Sequence, residues 1–534
     1  MFDEKMHPSP ILSPTKTILA CILLSGACWW LSFDLYLHWW WPIWIAPAPI
    51  LYLAPKVKAS QAFIMAFLSL LIGRLSWLSY LLSVLPLVPT ILFTILYPLI
   101  FALLILPARK VILTRPPAIA IFSFPLLWTS FEFLTFLFTR DGTIASFAYT
   151  QYDLLPIMQL ASVTGIAGIT FLISYIPSAI AVYAREKRIR YGLVIALAPA
   201  ILVLAFGLLR IHSTNDNPYL SVGLVSIAEK DQGKDNDPRA KQEFAIADRY
   251  LQATQTAAGR DAGIILLPEK VISVTDSTDQ IISATFQQSA KNLGITLIAG
   301  YTKINKDNFE NQARVFSPQG IQQLNYVKVN LFEGEAIEGF KAGKTPGLFD
   351  LLPSPSTPHL SSNAPPTAPQ PHPDTSSTQL NPASATSSTQ QITIKAGLAI
   401  CKDLDFAQYM HTYGSQQVSL LFVPAWDFHK DGWWHSRIAM TRGIENGYSL
   451  VRNARQGRLT ISDEKGRVLA EANSEKGEAA ELTGRIQPAA SPTIYSRWGD
   501  WFGWLNLLIA LIIHLPLRRI LSFAPRNVRR YRDR

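Results

Sequence analysis

The chain has 534 residues, of which 49% are hydrophobic, 11% aromatic and only 16% charged. That charge content is far below the roughly 25% usual in soluble domains, and the length exceeds one ordinary domain, so a single soluble globule is excluded and membrane-embedded sequence is expected. The net charge of +10 comes from basic residues beside apolar runs, which suits orientation in a bilayer better than a nucleic-acid footprint.

In chain order, apolar runs near the ~20 residues needed to span a bilayer occur at 16–33, 37–54, 60–84, 87–106, 117–138, 157–183 and 190–209, with an eighth near 501–517. Pro42, Pro47 and Pro49 interrupt the second. The first run holds Cys21 and Cys28, either lipid-facing or packed; the only other cysteine is Cys401. Three cysteines without a CxxC or a Cys/His cluster imply no disulfide framework and no structural metal. The first run reads as a cleaved signal peptide or as a span. The spans that follow at once, and the lack of a small-x-small cleavage site, favour the span.

Charge tests the count. With Lys5 and Lys16 on the cytoplasmic side, alternate loops carry Lys56 and Lys58, then Arg109, Lys110 and Arg115, then Arg185, Lys187, Arg188 and Arg190. The C-terminal tail carries seven arginines from Arg518 to Arg534, while the opposite loops are nearly free of basic residues, with Arg140 the exception. This alternation predicts both termini inside and residues 210–498 on the outer face. The expected division is a bundle over 1–209, a catalytic-sized domain over 210–498, and a last span with a basic tail over 499–534.

The outer segment alternates strand-length apolar runs with helical stretches. Strands are expected within 219–228, 262–270, 294–303, 394–403 and 418–427, and helices over 238–258 and 279–293. The pattern predicts a layered α/β domain with buried strands. Residues 350–392 are rich in Pro, Ser and Thr with almost no charge, so they are expected to be a disordered insertion.

Three residues carry candidate chemistry. Glu269 ends "IILLPEK": a general base if burial raises its pKa, or an ordinary exposed carboxylate at a strand end. Lys328 in "LNYVKVNLFEGE" is a surface lysine or a donor to oxyanion charge. Cys401 in "GLAICKDLDF" is a core cysteine or a nucleophile. Taken together, a base, an ammonium and a thiol on separate strand-like segments make a set complete for acyl transfer.

The order LPEK, YVKVNLFEGE, ICKDLDF resembles the Glu-Lys-Cys triad of the nitrilase superfamily. Combined with the spans, it resembles the apolipoprotein N-acyltransferase family. "WTSFEFL" (128–134), "LPIMQLASVTGIAGITFLISYIP" (155–177), residues 435–470 and "TIYSRWGDWFGWL" (493–505) resemble further family segments, in order along nearly the whole chain. The resemblance implies an α-β-β-α sandwich on a membrane bundle, with Glu269 as base, Lys328 as oxyanion partner and Cys401 as acylated nucleophile. It implies that Glu335 orients Lys328 or lines the site, with Glu333 competing for that assignment. It implies no cofactor, a phospholipid acyl donor, a diacylglyceryl-modified apolipoprotein acceptor, and a chain acting singly in a bacterial inner membrane.

Departures from the family pattern are also legible. Lys402 and Asp403 stand where Tyr-Glu is usual. The lysine either depresses the thiol pKa or points away, while Asp403 keeps the carboxylate. Trp426, Trp433 and Trp434 form an apolar gateway for acyl chains or anchor the membrane interface. Arg74, inside the third run, either meets a phospholipid head group or snorkels. A membrane-tethered amidase or nitrilase, and a scaffold that has lost activity, stay open as alternatives.

Overall fold

A computed structural model describes residues 14–37, 39–214, 217–228, 239–351 and 393–515. Most of the expected insertion, from 352 to 392, and the basic tail beyond 515 lie outside the described residues.

Six helices are long and apolar enough to cross a membrane: Thr15–Phe33, Ala59–Val84, Leu87–Thr114, Pro117–Phe138, Ile166–Arg185 and Ile189–His212. Helices satisfy every backbone group internally, which lipid demands. Two shorter apolar helices, Leu155–Thr164 and Trp501–His514, fall at the start of the expected 157–183 run and at the expected last span. The 157–183 run is not one helix. It turns at Gly165, whose φ is +64° and where a Cβ would sit 2.7 Å from the Tyr495 ring.

The second expected span differs from a plain helix. Residues 42–56 form short turns: a 3-10 turn at Pro42–Trp44, a helix at Ala48–Leu53 and a 3-10 turn at Ala54–Lys56. Single prolines at 98, 107, 177 and 199 sit inside long helices. Three within eight residues are too many, since each removes a backbone donor and costs about 3 kcal/mol inside a helix. The broken segment still traverses the bundle. At one end Trp40 and Trp44 bond Gln151; at the other, Arg109 bonds the carbonyls of Ala54 and Val57. Arg185 caps Ile112 at that same end. The basic residues of three loops thus gather at the end of the bundle away from the α/β domain.

The α/β domain holds two sheets. The first runs β13 (Ala480–Ile486), β1 (Leu220–Ser226), β2 (Ile264–Leu266), β4 (Thr296–Ile304), β5 (Phe309–Phe316), β6 (Gln322–Val327), with β3 (Ile272–Thr275) also on β4. The second runs β12 (Val468–Asn473), β11 (Arg458–Ser462), β10 (Ser449–Arg455), β9 (Leu420–Trp426), β8 (Ile394–Leu398), β7 (Gly347–Leu351). Strands β1, β2 and β4 pair in parallel, as do β8, β9 and β10. These central strands read as continuous apolar runs because both of their faces are covered.

Between the sheets lies a core of Val222, Leu266, Ile298, Leu398, Phe422, Val451 and Ile461. Helices Arg239–Ala258 and Asp279–Leu293 cover the first sheet through Tyr250, Ile282 and Phe286. Helices Ala407–Ser415 and Gly432–Asn446 cover the second. Their buried residues Met410, Tyr413, Ile438 and Ile444 join Trp29, Phe101, Trp128 and Tyr149 of the bundle in one continuous core. The expected α-β-β-α sandwich is present, and its second helical layer is docked on the membrane helices.

Candidate active site

Glu269 is delivered by β2 through Leu267 and Pro268. The neighbouring strand β4 carries Gly300 at the crossing, where a Cβ would lie 2.2 Å from the Pro268 carbonyl and 2.8 Å from the Glu269 Cα. Glycine there lets the turn fold over the sheet and bury the carboxylate, which is 2% exposed. Its Oε1 accepts from Lys328 Nζ at 2.9 Å and from Asn311 Nδ2 at 2.6 Å. Its Oε2 is buried and has no partner among the described residues.

Lys328 stands one residue past β6, its amide donating to the Asn311 carbonyl at 2.8 Å. Its ammonium bridges Glu269 Oε1 and Glu335 Oε2, each at 2.9 Å. Glu335 lies in the short helix Glu333–Glu338 and is buried, whereas Glu333 is exposed, so the carboxylate facing the lysine is that of Glu335. Glu335 also takes Lys270 Nζ at 2.6 Å, Asn311 Nδ2 at 2.7 Å and the Phe332 amide at 2.9 Å.

Cys401 opens the 3-10 turn Cys401–Asp405 directly beyond β8. Its φ of +44° is in the left-handed region, costly for a side chain with a Cβ. Asp403 holds the turn in place. Its carboxylate accepts from Tyr326 Oη at 2.7 Å, the Asn330 amide at 2.7 Å, Asn330 Nδ2 at 3.1 Å and the Ile400 amide at 2.9 Å. The strand end that carries Lys328 and the turn that carries Cys401 are thereby tied through one carboxylate. The thiol donates to the Trp426 carbonyl at 3.6 Å.

The charges reinforce one another. Burial opposes the Lys328 ammonium, but Glu269 and Glu335 outweigh it and hold its pKa well above the ordinary value. Burial also opposes the Glu335 carboxylate, yet Lys328 and Lys270 bring its pKa down to about 2. The Cys401 thiol is pushed well up, first by burial and then by the Glu269 charge, with Lys328 opposing. It is therefore protonated at rest and needs a base in contact with it to react. Lys402 does not change this: its ammonium turns to Asp405 at 3.2 Å.

The other expected site residues divide. Trp426 is at the site, supplying the carbonyl that meets the thiol, with its indole held by Gln456 and flanked by Arg455 at 4.1 Å. Trp434 is 4% exposed, bonded to the Ile144 carbonyl and edge-packed on Trp77 and Tyr149. It is a docking residue of the seam rather than a gateway. Trp433 lies beside it, with Arg437 5.3 Å above its ring. Arg74 is buried in the bundle, away from the three central residues. Asn311 and Lys270 were not expected. Lys270 stands in the quoted LPEK stretch, but Asn311 in "FENQARVF" carries no local signal. Among the described residues no group of three or more His, Cys, Asp or Glu side chains is placed to hold a metal.

The fold and these contacts define a class: a nitrilase-type α/β domain with a buried carboxylate, a buried ammonium and a half-buried thiol, built onto membrane helices. The family model described as "Apolipoprotein N-acyltransferase N-terminal domain" matches residues 25–179, and that of "Carbon-nitrogen hydrolase" matches residues 231–490. The apolipoprotein N-acyltransferase of Geobacter metallireducens is 24% identical over 512 residues, 89% of this chain and 91% of its own. That of Rickettsia prowazekii is 23% identical over 412 residues, 74% of this chain and 76% of its own. Among solved structures, an amidase from Nesterenkonia sp. is similar over 52% of this chain and 93% of its own, at 14% identity and a TM-score of 0.37. The two family models and these relatives together support an apolipoprotein N-acyltransferase assignment within the nitrilase superfamily.

Proposed function

We propose that this protein moves an acyl chain from a membrane phospholipid to the free amine of a diacylglyceryl-modified N-terminal cysteine on an apolipoprotein, by way of a thioester on Cys401. The observation that carries the mechanism is the unpartnered Glu269 Oε2. Its sister oxygen is fixed by Lys328 and Asn311, so the free oxygen is the atom available to take the thiol proton. The thiolate then attacks the ester carbonyl, and Lys328 hydrogen-bonds the oxyanion. Glu269 returns its proton to the departing lysophospholipid oxygen, leaving the thioester. In the second half, the amine attacks the thioester carbonyl, Glu269 takes the ammonium proton, and the thiolate leaves and is reprotonated.

Glu335 and Lys270 keep Lys328 charged and aimed, and Asp403 holds the turn that presents the thiol. Docking of the second helical layer on the bundle supports lipid substrates, because it keeps the thiol close to the membrane. The gathering of basic residues at the opposite end of the bundle supports an outer-face domain with both termini in the cytoplasm.

Incubation with labelled phospholipid and no acceptor, followed by mass analysis of the Cys401 peptide, tests this. A hydroxylamine-labile acyl group is expected on wild type and none on C401A. An unmodified wild-type peptide would refute the mechanism. Release of fatty acid with no N-acylated product on adding acceptor would instead assign the chain to hydrolysis.

A further inference from the structure

Arg74 is a buried cation to which the described residues offer no anion. It ends the helix Ala59–Arg74 and is 2% exposed. The other deeply buried arginines have carboxylate partners: Arg314 with Asp279, Arg442 with Glu445, Arg452 with Asp427. Arg74 has none, and its Nε is buried without an acceptor. Three aromatic rings wall it instead: Trp77 at 4.8 Å, Tyr97 at 5.0 Å and Phe33 at 5.7 Å from the guanidinium carbon. Ring faces attract a cation but accept no directed hydrogen bond from its fork of donors. A buried, unpaired ionisable side chain within a membrane span marks a candidate functional site.

Its position narrows the ligand. Trp77 packs edge-on against Trp434 of the α/β domain at 5.5 Å. Tyr80, six residues beyond Arg74 across the 3-10 turn Leu75–Trp77, donates to Asp431 at 2.8 Å. Asp431 ends the loop that starts at Trp426, whose carbonyl meets the Cys401 thiol. Arg74 therefore lies inside the bundle and is joined to the loop at the candidate active site through Trp77 and Tyr80.

We infer that Arg74 receives the phosphodiester of the acyl-donor phospholipid. The inference rests on the function proposed above and adds the residue that recognises the donor. A phosphodiester carries one negative charge on two non-bridging oxygens, which matches a guanidinium fork in charge and geometry. Aromatic walls keep competing water out, so the pairing is strong there. A donor without phosphate gains nothing from it.

The test compares two donors of the same acyl chain, phosphatidylglycerol and diacylglycerol, on the full-length protein in nanodiscs, reading the rate of Cys401 acylation. R74M is expected to lower the phospholipid-to-diacylglycerol ratio of kcat/KM by at least about tenfold, mainly through KM. R74K keeps the charge without the fork and should fall between R74M and wild type. If R74M does not fold, the R74K ratio decides. An unchanged ratio overturns the inference, whether both rates hold or both fall together. Inhibition by inorganic phosphate that R74M abolishes also overturns it, by making the site one for a free anion. Wild type that takes an acyl group from neither donor overturns the underlying reading, and this one with it.

Discussion

Two buried charge clusters flank the loop from Trp426 to Asp431, and they differ in one respect. On the sheet side, Glu269, Lys328, Glu335 and Asn311 interlock, yet Glu269 keeps a buried oxygen without a partner among the described residues. On the membrane side, Asp431 accepts from Tyr80 at 2.8 Å, from the Phe428 amide at 2.8 Å and from His435 Nε2 at 3.0 Å. Asp427 is held by Arg452, and Asp405 by Lys402 and His435. Both oxygens of Asp431 have donors. Burial and charge are alike in the two clusters. What separates the proposed reactive cluster from the fastening one is an atom left over, since a carboxylate oxygen without a donor is the one free to take a proton. The second cluster joins Tyr80 of the bundle to the α/β domain, so it fastens the two bodies.

The sharpest way to break this contrast is to exchange the reactive groups. C401A is expected to abolish thioester formation. E269Q keeps the shape but removes the base, so acylation should fall about 10³-fold. An E269Q enzyme within tenfold of wild type would end the assignment of the base. In the fastening cluster, D431N leaves His435 as a buried cation with a weakened partner. A loss of about 3 kcal/mol in unfolding free energy is expected, read by thermal or denaturant unfolding in micelles. Acylation per folded molecule should change less than in E269Q.

A pH titration sharpens the same point. Burial alone would lower the His435 pKa, but Asp431 first, and then Asp405 and Asp427, raise it to about 9. The folded pKa is above the unfolded value near 6.5, so the stabilisation is complete below about pH 6.5 and is lost as pH rises through 9. The full span is at most about 3 kcal/mol. H435Q should flatten the unfolding free energy between these limits, and a slope equal to wild type would contradict the charge assignment. The smallest effect is expected from N311A, which loses the donor shared by Glu269 and Glu335. A fall of about tenfold in acylation rate is expected, with KM for the acceptor little changed.

Legibility in the sequence followed the reach of each interaction. Glu269 and Cys401 could be picked out because each lies at or just past the end of a strand-like apolar run, and Lys328 because it sits in an alternating strand pattern. Asn311 could not, because it sits inside β5 and its meaning comes only from two carboxylates carried by other segments. Sequence allows Lys402 two orientations, toward the thiol or away from it, and its pairing with Asp405 fixes where the ammonium lies. Trp434 illustrates the opposite failure. A tryptophan near a membrane reads equally as anchor or gateway, and only contact with Trp77 and Tyr149 shows it to be a docking residue. The run at 37–54 has a span's composition, but three clustered prolines break it into short turns.

Apolar runs, loop charges and strand-length segments determine, by sequence alone, that this chain is a membrane bundle joined to a layered α/β domain. Those are local properties, set by backbone hydrogen bonding in lipid and by side-chain periodicity. Which oxygen of Glu269 is free, which carboxylate faces Lys328, and which arginine lacks an anion were decided only in the folded chain. Each depends on donors brought from distant segments, and no local pattern encodes that convergence.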